Sequence, residues 1–192
     1  MIGLHGKMGS GKDTVLERLQ AAQPATFQQV SFAAKLKEAT AELLGTTVEK
    51  LEELKRDDSW RLILGEYGKI DQMVGEGLTI REVLQRMGTE VGRNLFGDNF
   101  WVDQAMAVVD RYDTIPVFTD VRFENEALAI RERGGVIVRV IGDYEDTGDH
   151  ASEVPLPDAL VDFTIDNSRR DDGFAALDRH VTFLLDEIGV SL

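Results

Sequence analysis

Gly6, Gly11 and Lys12 stand at the spacing G-x-x-x-x-G-K inside "GLHGKMGSGKDT" (residues 3–14), with Gly9 as a further permissive position. Glycines let successive backbone N–H groups turn into one concavity, and the helix after them adds its positive end, so such a loop holds phosphate oxygens. Ser10 lies inside the cradle, and Lys12 would reach the β- and γ-phosphates of a nucleotide. The plain alternative is a glycine turn that joins a strand to a helix. Asp13 stands where the general pattern has a serine or threonine whose hydroxyl touches Mg²⁺. Two readings of Asp13 compete. An aspartate in a first helical turn is favoured by the macrodipole and needs no further role; alternatively it holds Mg²⁺ through water, and Thr14 could supply a hydroxyl one residue later.

These residues need a strand before them and a helix after them, and the pattern provides both. Residues 1–6 read as a short buried strand, and Val15, Leu16 and Leu19 recur on one face of the next helix. "FQQVSF" (27–32) is a second strand, succeeded by helical spacing of Leu36, Ala39, Leu43 and Leu44. From 46 to 111 the pattern is wholly helical, and Thr79 with Glu82 forms a capping box before Ile80, Val83, Leu84, Met87, Val91 and Leu95. Strands return at "IPVFTD" (115–120), with Pro116 at the strand's start, at "VIVRVI" (136–141) and at "VDFTID" (161–166). Between the last two, residues 143–159 are polar, acidic and broken by Pro155 and Pro157, which reads as a mobile loop. Phe174, Leu177, Val181, Leu184 and Ile188 mark a closing amphipathic helix. Strands separated by helical crossovers predict a parallel α/β sheet.

A length of 192 residues fits one core, with room for a small insertion. A formal charge of −14 disfavours nucleic acid as the main partner, because it repels polyanions wherever basic residues are not focused. The chain has no cysteine, so neither disulfides nor thiolate metal sites are expected. There is no signal pattern and no apolar run near the roughly 20 residues that span a bilayer, so a soluble cytoplasmic protein with no membrane partner is expected. A homodimer is left open.

"GKMGSGKDT" resembles the phosphate loop of the bacteriophage deoxynucleoside monophosphate kinases, in which the loop reads G-K-D-T. "SFAAKLKEA" (31–39), "LQRMGTEVGRNLFGDNFWV" (84–102), "TDVRFENEALAIRERGGVIVRV" (119–140) and "DHASE" (149–153) are similar to the same family in the same order. The resemblance spans residues 1 to about 167. It implies a P-loop NTPase three-layer sandwich, one kinase domain over 1–192, with a helical acceptor-binding insertion at 46–111 and a lid-like loop at 142–158. It also implies transfer of the ATP γ-phosphoryl group, with Mg²⁺, to a deoxynucleoside 5′-monophosphate, in host cytoplasm if the source is a phage.

Such a transfer needs cations converging on the migrating group. Arg86, Glu90 and Arg93 share one helical face beside Gly88 and Gly92; solvated ion pairs are the alternative to a substrate surface in which Arg93 meets the monophosphate. Asp120 ends an apolar strand, the position of the acid that orients Mg²⁺ through water in P-loop proteins, although a turn or cap residue would look the same. Arg122 falls at the carboxyl edge of the sheet, where open α/β sheets bind ligands. Glu124, Asn125 and Glu126 read as first-turn acids and polar surface of the next helix. Phe100 or Trp101 could stack on the acceptor base or pack in the core; Lys35 and Lys37 could flank phosphates or be solvated. His150, with Ser152 and Glu153, lies in the lid-like loop. That loop has no arginine between 142 and 153, which leaves the lid's work to Arg122, Arg139 or Arg169. Asn167, Arg169 and Arg170 come after the last strand, in the loop that often flanks the adenine in such kinases; an ordinary loop leading into a helix is the alternative. Two other functions compete: another small-molecule kinase, of the dephospho-coenzyme A or phosphomevalonate type, and a nucleotide-dependent switch or binding module.

Overall fold

The computed structural model describes residues 1–56, 77–142, 155–168 and 173–190. Five strands, β1 (Ile2–His5), β2 (Phe27–Val30), β3 (Ile115–Val121), β4 (Val136–Ile141) and β5 (Phe163–Asp166), form one parallel sheet in the order β2-β3-β1-β4-β5. The helices are α1 (Lys12–Ala22), α2 (Ala34–Leu43), α3 (Val48–Leu54), α4 (Ile80–Arg86), α5 (Asn94–Phe96), α6 (Phe100–Val109), α7 (Glu124–Glu132) and α8 (Ala175–Glu187). Two compact units result: residues 1–31 with 106–192, which hold the whole sheet, and residues 32–105.

In the first unit the sheet is covered on both faces, which is why β1 is uniformly buried. Ile2, Leu4, Val117, Val138 and Val140 pack with Val15, Leu16 and Leu19 of α1 and with Leu177, Val181 and Leu184 of α8. On the opposite face Ile130 of α7 lies over the Gly3 position. That gives the three layers of the expected P-loop α/β fold. Arg18 grips Asp178 with two bonds, 2.5 and 2.7 Å, and ties α1 to α8. Pro116 is tolerated inside the sheet because β1 begins to pair only at Val117. The chain departs from β1 toward β2 on one side and reaches β4 on the other, so ligands are expected at the carboxyl end of β1.

In the second unit Leu51, Leu54, Ile80 and Leu84 form the core with Ala41, Leu36 and Leu44. The expected α2 stripe is rotated. Leu43 is 69% exposed, and Thr40 takes an inward place by donating its hydroxyl to the Leu36 carbonyl, 2.7 Å away. The Thr79–Glu82 capping box is present as expected. The helix it starts does not run on with one apolar stripe, however. From Met87 to Arg93 the backbone is π-helical, and Val91 and Leu95 are exposed where burial is expected. Each i→i+5 turn takes in an extra residue and rotates the face. Gly92 turns inward instead, against Trp101, whose indole N–H donates to the Gly88 carbonyl at 2.9 Å. The chain is also non-helical at 77–79 and 97–99, so the stretch 46–111 is not wholly helical.

Candidate active site

The loop between β1 and α1 is glycine-rich for two different reasons. Gly9 and Gly11 have φ of 81° and 92°, the left-handed region, and Gly11 in that conformation caps α1. Gly6 is needed because no side chain fits. A Cβ there would stand 2.4 Å from the Val140 carbonyl oxygen and 2.7 Å from the Ser10 hydroxyl. The loop is pressed equally hard from its far side, since a Cβ on Gly142 would stand 2.8 Å from the Ser10 backbone.

Ser10 is 2% exposed, and its hydroxyl has no hydrogen-bond partner among the described residues. Its carbonyl is held by Asn167, a buried side chain that donates to it at 3.1 Å. Asn167 is itself fixed by its N–H to the Ile141 carbonyl, 2.7 Å. Asn167, expected beside an adenine, thus braces the loop between β1 and α1.

Lys12 folds back across that loop and donates to the carbonyls of Gly6 at 2.7 Å and Lys7 at 2.8 Å. Burial lowers its proton affinity first, and the Arg122 guanidinium lowers it further, while Asp13 and Asp120 act in the opposite sense. Two cations are thus gathered where an anion would relieve their repulsion. Asp120 accepts the Ser31 hydroxyl at 2.6 Å, and Arg122 is exposed just beyond the end of β3. Asp13 is exposed in the first turn of α1, and Thr14 is half-buried beside it.

The carboxylates of Asp13 and Asp120 and the Thr14 hydroxyl are hard oxygen donors that suit Mg²⁺. Among the described residues no three His, Asp or Glu side chains form a metal cage. A nucleotide-bound Mg²⁺ needs only one or two carboxylates besides phosphate and water, so this donor set fits it.

The remaining candidate residues divide between packing, ion pairs and exposed surface. Arg86 and Glu90 approach at 4.0 Å on an exposed face, while Arg93 is half-buried at the end of the π-helical stretch. Trp101 is 8% exposed and takes the packing role, with Phe100 edge-on to it. Lys35 pairs with Glu38 at 2.5 Å and Lys37 with Glu52 at 2.9 Å. Arg139 is engaged by Asp158 at 2.5 Å and the Leu156 carbonyl at 2.6 Å. His150, Ser152, Glu153, Arg169 and Arg170 lie outside the described residues, as does most of the 142–158 stretch. Glu126 is the clearest correction. It is 4% exposed rather than polar surface, and its carboxylate accepts the N–H groups of Arg122 at 2.7 Å and Phe123 at 3.0 Å. A glutamate three residues after the helix's N-cap was the available signal. In the sequence Ser31 stands out only as the first residue of the family-like stretch 31–39, with no role of its own.

Residues 64–177, more than half of the chain, match the family model described as deoxynucleotide monophosphate kinase. The chain is 29% identical over 215 residues to the deoxynucleoside-5′-monophosphate kinase of Escherichia phage T5, covering 82% of this chain and 85% of that one. It is 32% identical over 166 residues to a protein of Acanthamoeba polyphaga mimivirus assigned by name to the deoxynucleotide monophosphate kinases, with 81% of each chain covered. Among solved structures it is similar to a dephospho-CoA kinase from Campylobacter jejuni, at TM-score 0.47 and 16% identity over 97% of this chain and 96% of that one, too distant to bear on function. The chain belongs to the deoxynucleotide monophosphate kinase family.

Proposed function

We propose that this protein transfers the γ-phosphoryl group of ATP to a deoxynucleoside 5′-monophosphate, giving the diphosphate and ADP. The observation that carries this reading is a braced glycine loop whose Lys12 feels the charges of Arg122 and Asp120, in a chain of this family. Phosphoryl transfer asks the protein mainly to position two anions and to neutralise the charge that gathers between them. Backbone N–H groups of residues 9–14 would hold the ATP phosphates, with the Ser10 hydroxyl and Lys12 on their oxygens. Arg122 would sit on the migrating group. Asp13, Asp120 and Thr14 would hold Mg²⁺, which when bound screens the phosphate charge. Arg93, with Arg86 and Glu90, would receive the acceptor within the helical segment 46–111. His150 in the 142–158 stretch and Arg169 would complete the nucleotide contacts. The reading involves no nucleic acid and no membrane, and among the described residues no helix is long and apolar enough to cross one.

An ADP-release assay with Mg-ATP against each deoxynucleoside monophosphate, the matching ribonucleotides, dephospho-coenzyme A, phosphomevalonate and no acceptor tests this directly. Turnover with deoxynucleoside monophosphates is expected. Release without any acceptor would point to a switch, and release with dephospho-coenzyme A or phosphomevalonate alone to another kinase. Arg93→Ala is expected to raise the acceptor KM or lower kcat about tenfold, the loss of about one charge-assisted hydrogen bond, with ATP affinity unchanged. Unaltered acceptor kinetics would remove Arg93 from the site.

A further inference from the structure

β1 and β3 fall out of step just where the proposed catalytic residues emerge. Gly3 pairs with Phe118 but His5 pairs with Val121, so Leu4 alone stands opposite Thr119 and Asp120. One extra residue in β3 makes a bulge, which interrupts the ladder and re-aims the residues after it. Side chains take over the hydrogen bonding there. The His5 ring donates from Nδ1 to the Val121 carbonyl at 3.0 Å, and the Glu126 carboxylate holds the next two N–H groups, of Arg122 and Phe123.

The same imidazole is engaged on its other side. Its Nε2 accepts the Leu156 N–H at 3.2 Å, and the Leu156 carbonyl is held in turn by Arg139. His5 is 9% exposed and directly precedes Gly6, the first residue of the phosphate loop. An ordinary core histidine needs one partner for its polar edge. This one spans two separate segments with both nitrogens, and it can do so only as the neutral ring with its hydrogen on Nδ1.

We propose that His5 is a positioning residue for phosphoryl transfer: by bridging the Val121 carbonyl and the Leu156 amide, it fixes the β3 turn that carries Arg122 beside the start of the phosphate loop. The proposal rests on the kinase reading, in which Arg122 sits on the migrating group. Burial lowers the proton affinity of His5 from its ordinary value near 6.5, the Val121 bond opposes this, and the cations Arg139 on β4 and Lys12 on α1 lower it again. Asp120 and Arg122 flank Val121 on β3, and Glu126 faces that turn from α7. A second proton on the ring would aim an N–H at the Leu156 N–H and open the bridge. Stability from neutral His5 is thus present above pH 6.5 and lost as pH falls through its lowered folded value.

The test compares His5→Leu, which removes the bridge, with His5→Gln, which keeps one donor and one acceptor, over a pH series of kcat for the full chain. His5→Leu is expected to lower kcat about tenfold through misplacement of Arg122, with the KM for ATP changed less. His5→Gln should recover most of that loss and should lack the steepest part of the acid limb of the pH profile. In an Arg122→Ala background His5→Leu should cost nothing more. Wild-type kcat in His5→Leu, equal losses in Gln and Leu, or an unchanged acid limb in His5→Gln would each overturn the proposal. If His5→Leu does not fold, the Gln profile decides alone. Full turnover in Arg122→Ala would instead sink the assignment of Arg122, a separate failure.

Discussion

Lys12→Ala is expected to lower kcat for phosphoryl transfer by about 10²–10³-fold, the scale of losing one preorganised charge-stabilising donor, while the fold persists. The two halves of that expectation have different causes. Lys12 contributes little to the fold because its ammonium is spent on two carbonyls of its own loop, Gly6 and Lys7, and makes no contact with a distant element among those bonds. The same ammonium is partly desolvated and crowded by Arg122, so its charge is held at a cost that a phosphate would relieve. The thermal midpoint should move by no more than about 2 °C, the effect of roughly half a kcal/mol. Lys12→Arg should not rescue, since a planar fork on a longer stem cannot follow a point charge's path into a narrow loop. Circular dichroism, a melting curve and the ADP-release assay check all three. Near-normal turnover in Lys12→Ala would remove the loop from the chemistry.

What the sequence disclosed and what it hid divide along one physical line. Local patterns were legible: the loop spacing, the Thr79–Glu82 box and the buried triplet Val15, Leu16 and Leu19 each depend on neighbours within a turn or two. Long-range hydrogen bonds were not. Asn167 reads as one polar residue after a strand, yet it holds Ser10 across 157 positions; His5 reads as the end of a strand, yet it reaches Val121 and Leu156. The π-helical stretch from Met87 misled for a related reason. A helical wheel assumes a constant angle per residue, and the stretch that breaks that constancy is the one whose Gly88 carbonyl accepts from Trp101, thirteen positions away. Arg86 and Glu90 were legible as a charged pair, whereas the π-helical turns that lead to Arg93 were not.

Gly6→Ala is expected to be as damaging to activity as the loss of Lys12, and by an opposite route. The new methyl would meet the Val140 carbonyl oxygen at 2.4 Å, a backbone atom of an interior strand that cannot swing aside, with the Ser10 hydroxyl at 2.7 Å. Either β1 and β4 part or the loop lifts away. Overpacking of this kind costs about 3 kcal/mol, the upper end of its usual range, and would lower the midpoint by roughly 6–12 °C in a chain of this size. Gly134→Ala provides the comparison. Its φ of 73° is left-handed but nothing lies within 4 Å, so only backbone strain of about 1 kcal/mol applies, far from the site. Melting curves and nucleotide titrations should then separate the two glycines: loss of ATP binding with a large fall in stability for Gly6→Ala, and a small fall with intact binding for Gly134→Ala. If Gly6→Ala binds ATP normally, the contact of the loop with Val140 is not what shapes the cradle. If both variants lose binding alike, loop shape depends on global stability rather than on the missing side chain.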